Sequence, residues 1–501
     1  MTSRLARWFD DRLQVGALRA ALLDRAVPDR LTWWHTLGSA TLAVFAVQVI
    51  TGAVLATYYA PSPDHAYNSI QFIERQVASG ALVRAMHRWG ASFMVVLTVM
   101  HMVRVFAMGA YKYPREPNWI LGVVLFLVVL GFGFTGYLLP WDQRAYFATE
   151  VGTNMGGTAP FIGPYVVRLL RGGSQLGAAT LTRFYAFHAI WLPLALGGLV
   201  ALHLAMVIRQ GIAPRTTTLD DGAPPRTSAE GYPAYYAARY AESKRGGVRF
   251  WPHVIAKDLA VAALVVALLV VLAARFGAPL EAPADPTDTN FVPVPEWYFL
   301  PLYQLLKLFP GRMEAAVALG VPGLLLVALF GLPLLDRGSR RSLRRRPFAM
   351  AALLFLLGGS ATLLGAAIRE ERARAKPEAG GIPLSPAQVA GRAVFGQQQC
   401  QSCHLLRGEG SDKGPDLTEV GLRHSAAWMH SFLEQPRLFH PESEMPSFGP
   451  PTLTHQDIEQ LAQYLSSLRG PPGSTKPAAI ADTFPDLRAR SGAEPSALVR
   501  P

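Results

Sequence analysis

Seven stretches of this chain are apolar over the ~20 residues that a helix needs to cross a bilayer, and that requirement limits the fold before any motif is considered. They run over residues 33–56, 82–108, 117–139, 182–209, 255–275, 313–335 and 347–368. The composition agrees. Half of the 501 residues are hydrophobic and 16% are charged, where a soluble domain carries about 25%. The expected fold is therefore an all-α membrane protein with seven transmembrane helices and a small soluble part. The net charge of +12 does not point to nucleic acid, because the arginines crowd beside the apolar runs instead of forming a patch on a soluble domain.

Those basic residues set the topology. Arg4, Arg7, Arg12 and Arg19 precede the first span; Arg104, Lys112 and Arg115 follow the second. Lys244, Arg245 and Arg249 precede the fifth; Arg340, Arg341 and Arg344 to Arg346 precede the seventh. All fall on one side, which the positive-inside rule makes cytoplasmic, so an odd number of spans sends the C-terminal part outward. The opening segment, residues 1–30, alternates apolar and basic residues at helical spacing without an apolar core and a small-residue cleavage site. It reads as an interfacial helix, not a cleaved leader.

Inside the second span, HRWGASFMVVLTVMH begins and ends on a histidine, His87 and His101. Fourteen residues of helix rise roughly 21 Å and make just under four turns, so both rings leave one face, one near each side of the membrane. The fourth span carries His188 and His203, fifteen apart. Two helices with histidines at matching depths can hold two stacked porphyrins by bis-imidazole ligation, His87 with His188 on the outer side and His101 with His203 on the inner side. Gly38 and Gly52 in the first span, and Gly122 and Gly136 in the third, repeat the interval of fourteen. Glycine lets a macrocycle or a neighbouring backbone approach closely. Arg84 and Arg104, each three residues from a histidine, are candidates to meet haem propionates.

After the seventh span, REERARAKPEAGGIPLSP (residues 369–386) reads as a linker, and residues 387–470 follow as a small all-α domain ahead of a tail, 471–501. The two cysteines of the chain lie in QQQCQSCHLLRG, with Cys400 and Cys403 followed at once by His404. This CxxCH pattern attaches a c-type haem covalently, the histidine supplying one axial nitrogen. A disulfide or a thioredoxin-like pair would need no adjacent histidine. The second axial ligand is expected from Met445 in SEMPSFGP, ahead of Met429, His424, His430 and His440.

The motifs together resemble a known family. LVRAMHRWGASFMVVLTVMHMVRV, FGFTGYLLPWDQ and GAATLTRFYAFH are similar to cytochrome b of the quinol-oxidising cytochrome bc complexes, and VPEWYFLPLYQLLK resembles that family's PEWY quinol-site motif. Residues 31–215 then correspond to a di-haem four-helix bundle, and 216–368 to a three-helix C-terminal part; the last module resembles a class I cytochrome c. The seven spans and the interval of fifteen are similar to the photosynthetic b/f branch, in which cytochrome b is split between two chains. That branch carries an extra haem on one cysteine, and Thr36 stands at the aligned position, so no such group is expected.

The resemblance implies two non-covalent b haems, one covalent c haem and a quinol pocket at the outer face formed by Pro295, Glu296, Trp297, Tyr298 and Tyr137. Glu296 is the candidate catalytic residue, since a carboxylate beside a lipophilic quinol can accept its proton. It also suits a helix N-terminus, with Pro295 at the first helical position, and the two tyrosines suit an interfacial belt. His35 and Arg209 are candidates for an inner quinone site. The implied protein is a subunit of a quinol:cytochrome c oxidoreductase in a bacterial inner membrane, with the c domain on the periplasmic side. The implied partners are a separate Rieske iron–sulfur protein, the quinone pool, a soluble cytochrome or other acceptor, and a second copy of the complex. The alternative is a di-haem membrane anchor that serves a dehydrogenase or terminal reductase without bifurcation.

Overall fold

The computed structural model describes residues 4–28, 31–214, 216–220, 222–223, 231–286, 291, 293–309, 311–374, 384–406, 409–411 and 413–469. Two compact units divide the chain, one of residues 1–285 with 293–367 and one of 286–292 with 368–501. Half of the expected linker and the tail after 470 lie outside the described residues.

The first unit is helical. Among the described residues seven helices are long and apolar enough to cross a membrane: Trp33–Ala56, Gly80–Ala107, Glu116–Tyr137, Ala178–Gln210, Phe250–Phe276, Met313–Leu335 and Pro347–Arg372. Leucine, valine and alanine fill them, and a helix satisfies its backbone donors and acceptors within the segment, as hydrocarbon demands. The first and second pack tightly, with Ala40 and Val44 fully buried against a cluster that includes Met94, Val95 and Leu97. Leu264, Val271, Leu324, Val327 and Phe355 face outward on the later spans, as lipid-facing positions would.

Three local features depart from the simplest reading. The opening segment is two helices, Arg4–Leu13 and Val15–Leu22, broken at Gln14, whose φ of 48° is left-handed. A two-residue strand follows and pairs antiparallel with Val248–Arg249. In the fourth span, residues Phe187–Trp191 form a widened turn in which the N–H of Leu192 reaches the carbonyl of Phe187, five residues back. Pro193 sits immediately beyond; it donates no N–H and crowds the carbonyl four residues earlier, which favours the wider turn. Finally, the seventh helix continues to Arg374, six residues into the segment read as linker.

The basic loops are not merely topology markers. Lys112, Arg115, Arg341 and Arg346 are buried. Lys112 Nζ donates to Asp336 at 2.7 Å and to the carbonyls of Gly338 and Arg340. Arg346 donates to the same carboxylate at 2.9 Å and to the carbonyls of Phe106 and Ala107. Tyr111 also hydrogen-bonds Asp336. Burial opposes ionisation of this carboxyl, but the bonds from Lys112 and Tyr111 outweigh it and hold Asp336 below its ordinary range. The loop after the second span is thereby tied to the loop between the sixth and seventh.

The second unit is a small helical domain. Helices Pro386–Gln397, Ala426–Glu434 and His455–Ser467 pack around Phe395, Trp428, Met429, Ile458, Leu461 and Tyr464. Gly391 lies against the backbone of Gln460, where a Cβ would collide with the carbonyl, so glycine sets the approach of the first and last helices.

Asp336→Asn removes the charge that two buried cations share, and should destabilise the first unit by about 3 kcal/mol. The expected outcome is a lower midpoint for heat-induced loss of b-type absorbance, with the c-type spectrum unaffected at that temperature.

Candidate functional site

The second and fourth spans bring the four histidines together in two pairs. The ring centroids of His87 and His188 are 6.1 Å apart, and those of His101 and His203 are 6.4 Å apart. Two imidazoles on one iron, each about 2 Å from the metal through one nitrogen, place their ring centres about 6.3 Å apart. Each pair therefore already holds the separation that axial ligation requires. The widened turn at His188 explains how an interval of fifteen serves as well as fourteen: it absorbs one residue and restores the phase of His203.

Hydrogen bonds fix the tautomer of one pair. The Thr51 hydroxyl donates to the carbonyl of Val47 at 2.7 Å, so its lone pair must accept from His87 Nδ1–H at 2.9 Å. Thr135 repeats the arrangement, donating to Gly131 at 2.8 Å and accepting from His188 Nδ1–H at 3.2 Å. Both Nε2 atoms are left unprotonated, the form that binds a metal. The Nδ1 atoms of His101 and His203 are buried with no partner.

Glycines back three of the four rings. A Cβ at Gly38 would stand 3.2 Å from His101 Cε1, one at Gly52 3.1 Å from His87 Cε1, and one at Gly136 2.5 Å from His188 Cε1. Gly122 meets nothing within 4 Å. Bare glycine cradles, two fixed tautomers and paired rings at iron-spanning separation all fit haem.

Arg84 and Arg104 are placed differently. Arg84 is buried in an ion pair with Glu74 and also donates to the carbonyls of Ala278 and Pro279. Arg104 Nε is buried and unpartnered.

Residues Val294 to Tyr298 gather beside the second and third spans. Trp297 Nε1 donates to Ser92 at 3.0 Å, the Tyr137 hydroxyl to the carbonyl of Val294 at 3.4 Å, and the Tyr298 ring covers Gly133. Glu296 Oε1 lies 3.4 Å from Arg88. Arg88 is the member of this group that sequence reasoning missed; its position directly after His87 was the available signal. The helix here is Leu300–Lys307, capped at Phe299, so Glu296 lies on the turn ahead of it and Pro295 is not at its first position. Burial, then the nearby Glu296 charge, raises the Tyr298 phenol above its ordinary range. On another part of the unit, His35, Thr36, His253, Lys257 and Asp258 are among the residues lining a cavity of about 190 Å³. Arg209 is not among them.

In the second unit, Cys400 is half-buried and Cys403 exposed, both as free thiols. Burial pushes the Cys400 thiol up to about 11, unlike the acidic thiol of a redox-active CxxC pair. His404 Nδ1 donates to the carbonyl of Pro415 at 2.9 Å, leaving Nε2 free. Met445 and Cys400 are each partly buried and pack against the core; Met429 lies within the core, and His424 stacks on Trp428 at 3.7 Å.

Comparison with known proteins accords with this geometry. Residues 22–211 match the family model "Cytochrome b/b6/petB", 283–375 match "Cytochrome b(C-terminal)/b6/petD", and 388–469 match "Cytochrome c". The menaquinol:cytochrome c reductase cytochrome b subunit of Geobacillus thermodenitrificans is 44% identical over 221 residues, 42% of this chain and 99% of that protein. Cytochrome b6 of Trichodesmium erythraeum is 41% identical over 207 residues, 41% of this chain and 93% of that one. A solved structure described as a hyperthermophilic respiratory Complex III aligns with a TM-score of 0.62 and 26% identity, covering 78% of this chain and 95% of its own. The chain belongs to the cytochrome b/b6 family, with the C-terminal cytochrome b part and a cytochrome c domain in the same polypeptide. It is a multi-pass membrane protein whose domains take haem b and haem c.

Gly136→Val should drive the His188 ring from its position and lower the b-type haem content of the purified protein, while Gly122→Ala, which meets open space, should not. Pyridine haemochrome spectra of the two variants make the comparison.

Proposed function

We propose that this chain is the cytochrome b and c subunit of a quinol:cytochrome c oxidoreductase that oxidises membrane quinol at the outer face. The reading rests first on the two imidazole pairs at 6.1 and 6.4 Å, which suit two b haems stacked across the membrane. His87 and His188 would hold the outer one, His101 and His203 the inner one, and Cys400, Cys403, His404 and Met445 the single c haem. When bound, these groups supply an electron path across the bilayer and a c-type acceptor outside it. The relatives named above are a menaquinol:cytochrome c reductase subunit and cytochrome b6, which supports the reaction class.

Oxidising a quinol releases two protons and two electrons, and the residues around Glu296 are suited to the proton half. Its carboxylate accepts a proton from the quinol hydroxyl, and Arg88, 3.4 Å away, positions that carboxylate. Trp297, anchored on Ser92, and Tyr298 with Tyr137 form the walls. With the haems bound, one electron would take the inward path, while the other would leave to a separate Rieske iron–sulfur protein and return to the c domain, a bifurcation coupled to proton translocation. Both cysteines of this chain are committed to the CxxCH motif, which is why the Rieske centre is assigned to another subunit. The 190 Å³ cavity that includes His35 is the candidate for the inner quinone site. The host is a bacterial inner membrane, the c domain lies on its periplasmic side, and the complex is a homodimer feeding a soluble acceptor.

Two measurements test this. Haem extraction should give non-covalent b to covalent c in a ratio of two to one; one to one would remove the four-histidine assignment. Glu296→Gln should slow quinol oxidation about 10²-fold or more with all haem spectra intact. Wild-type turnover across pH would reduce Glu296 to a partner of Arg88.

A further inference from the structure

The second unit carries a group of metal-ligating side chains that none of the chemistry above uses. His430 and Glu434 are four residues apart on the helix Ala426–Glu434 and so share a face. His455 opens the helix His455–Ser467 and reaches the same spot, with Nδ1 2.8 Å from Glu434 Oε1. The two imidazoles lie nearly parallel, 6.5 Å between centroids and 15° between planes. One ligand atom from each of the three residues lies within 4.8 Å of the other two.

We propose that His430, Glu434 and His455 bind a divalent transition ion of the zinc type. Two imidazoles and one carboxylate are the donor set such ions prefer over magnesium or calcium. Ligand atoms around tetrahedral zinc stand about 3.3 Å apart, given bonds of about 2.0–2.1 Å. The His455–Glu434 contact is already within that distance, and His455, with 75% of its side chain exposed, is free to turn toward His430. The fourth position is open to water.

The site joins two helices of the core. It also touches the segment that carries Met445: the Ser447 hydroxyl donates to the carbonyl of Glu434, and Phe448 N–H donates to Leu433 at 2.9 Å. A bound ion therefore clamps the helix from which this segment hangs. Glu434 is the central ligand, since it already pairs with His455 and shares a helix face with His430.

Without the ion, the same residues make a surface histidine–carboxylate pair and nothing more, and the experiment separates the two cases. The full-length complex in detergent, freed of metal by chelation, is incubated with Zn²⁺ and passed through a desalting column. Zinc per c haem is then compared among wild type, His430→Ala and His455→Ala. Zinc bound elsewhere on the complex is common to all three and cancels. The expected result is one equivalent fewer in each variant, with at least about tenfold weaker affinity at the residual site and an unchanged c-type spectrum showing that the domain is folded. Co²⁺ should give tetrahedral d–d bands in the wild type that His455→Ala, a surface change, abolishes. Equal zinc in all three proteins overturns the proposal.

Discussion

Two helices must each deliver two imidazoles to matching heights with a gap one iron wide between them, and much of the first unit serves that constraint. A Cβ behind the rings would collide at Gly136 and crowd at Gly38 and Gly52, and the neighbouring spans carry glycine at all three. The fourth span must correct its own phase, and the widened turn ahead of Pro193 does so. Packing between apolar helices in lipid gains little from hydrophobicity, so close backbone approach and buried polar contacts set the arrangement instead. Gln48, which donates to the carbonyl of His87 at 3.0 Å, and Thr51 tie the first span to the second at the height of the His87–His188 pair.

The same economy governs the segment that enters beside Glu296. Residues 277–285 are fixed by main-chain contacts to two elements: Arg84 and Trp89 of the second span donate to carbonyls at 277–279, and at the start of helix Gln143–Gly157 Asp142 accepts from Glu281 N–H and Gln143 N–H meets the carbonyl of Ala282. Arg144 adds an ion pair to Glu281 at 2.7 Å. With the approach held, Val294 to Tyr298 come to rest on the second and third spans. Arg84 is thus a structural anchor as well as a neighbour of His87, and Arg88, four residues on and so on the same face, is the cation that meets Glu296.

The spans were legible because hydropathy over about 20 residues is a property of composition alone. The CxxCH segment was legible for a different reason, since thioether attachment needs those residues adjacent in sequence. What escaped depended on contacts between distant segments. Nothing local marks Lys112, Arg341 or Arg346 as buried, because their acceptors are carbonyls and an aspartate more than 200 residues away for Lys112. Arg88 reads as another flanking cation until Glu296 is placed beside it. The turn at His188 was half visible: an interval of fifteen beside one of fourteen requires a phase correction, and Pro193 shows where it falls.

The two imidazole pairs differ in ways that bear on the direction of electron flow in the proposed function. Thr51 and Thr135 accept from the Nδ1–H groups of His87 and His188, which would raise the basicity of Nε2 and favour oxidised iron in a haem held there. His101 and His203 receive no such support. The nearby cations differ in the same sense. Arg84, three residues before His87, is neutralised by Glu74, whereas Arg104, three residues after His101, keeps a buried and unpartnered Nε. A positive charge that is not neutralised favours the reduced state of a buried redox group. Ligand basicity and local charge would therefore both make the proposed His101–His203 haem the easier one to reduce. With haems held as proposed, an electron entering between His87 and His188 would be drawn toward the far pair by the protein itself, before any difference in membrane potential or quinone chemistry acts on it.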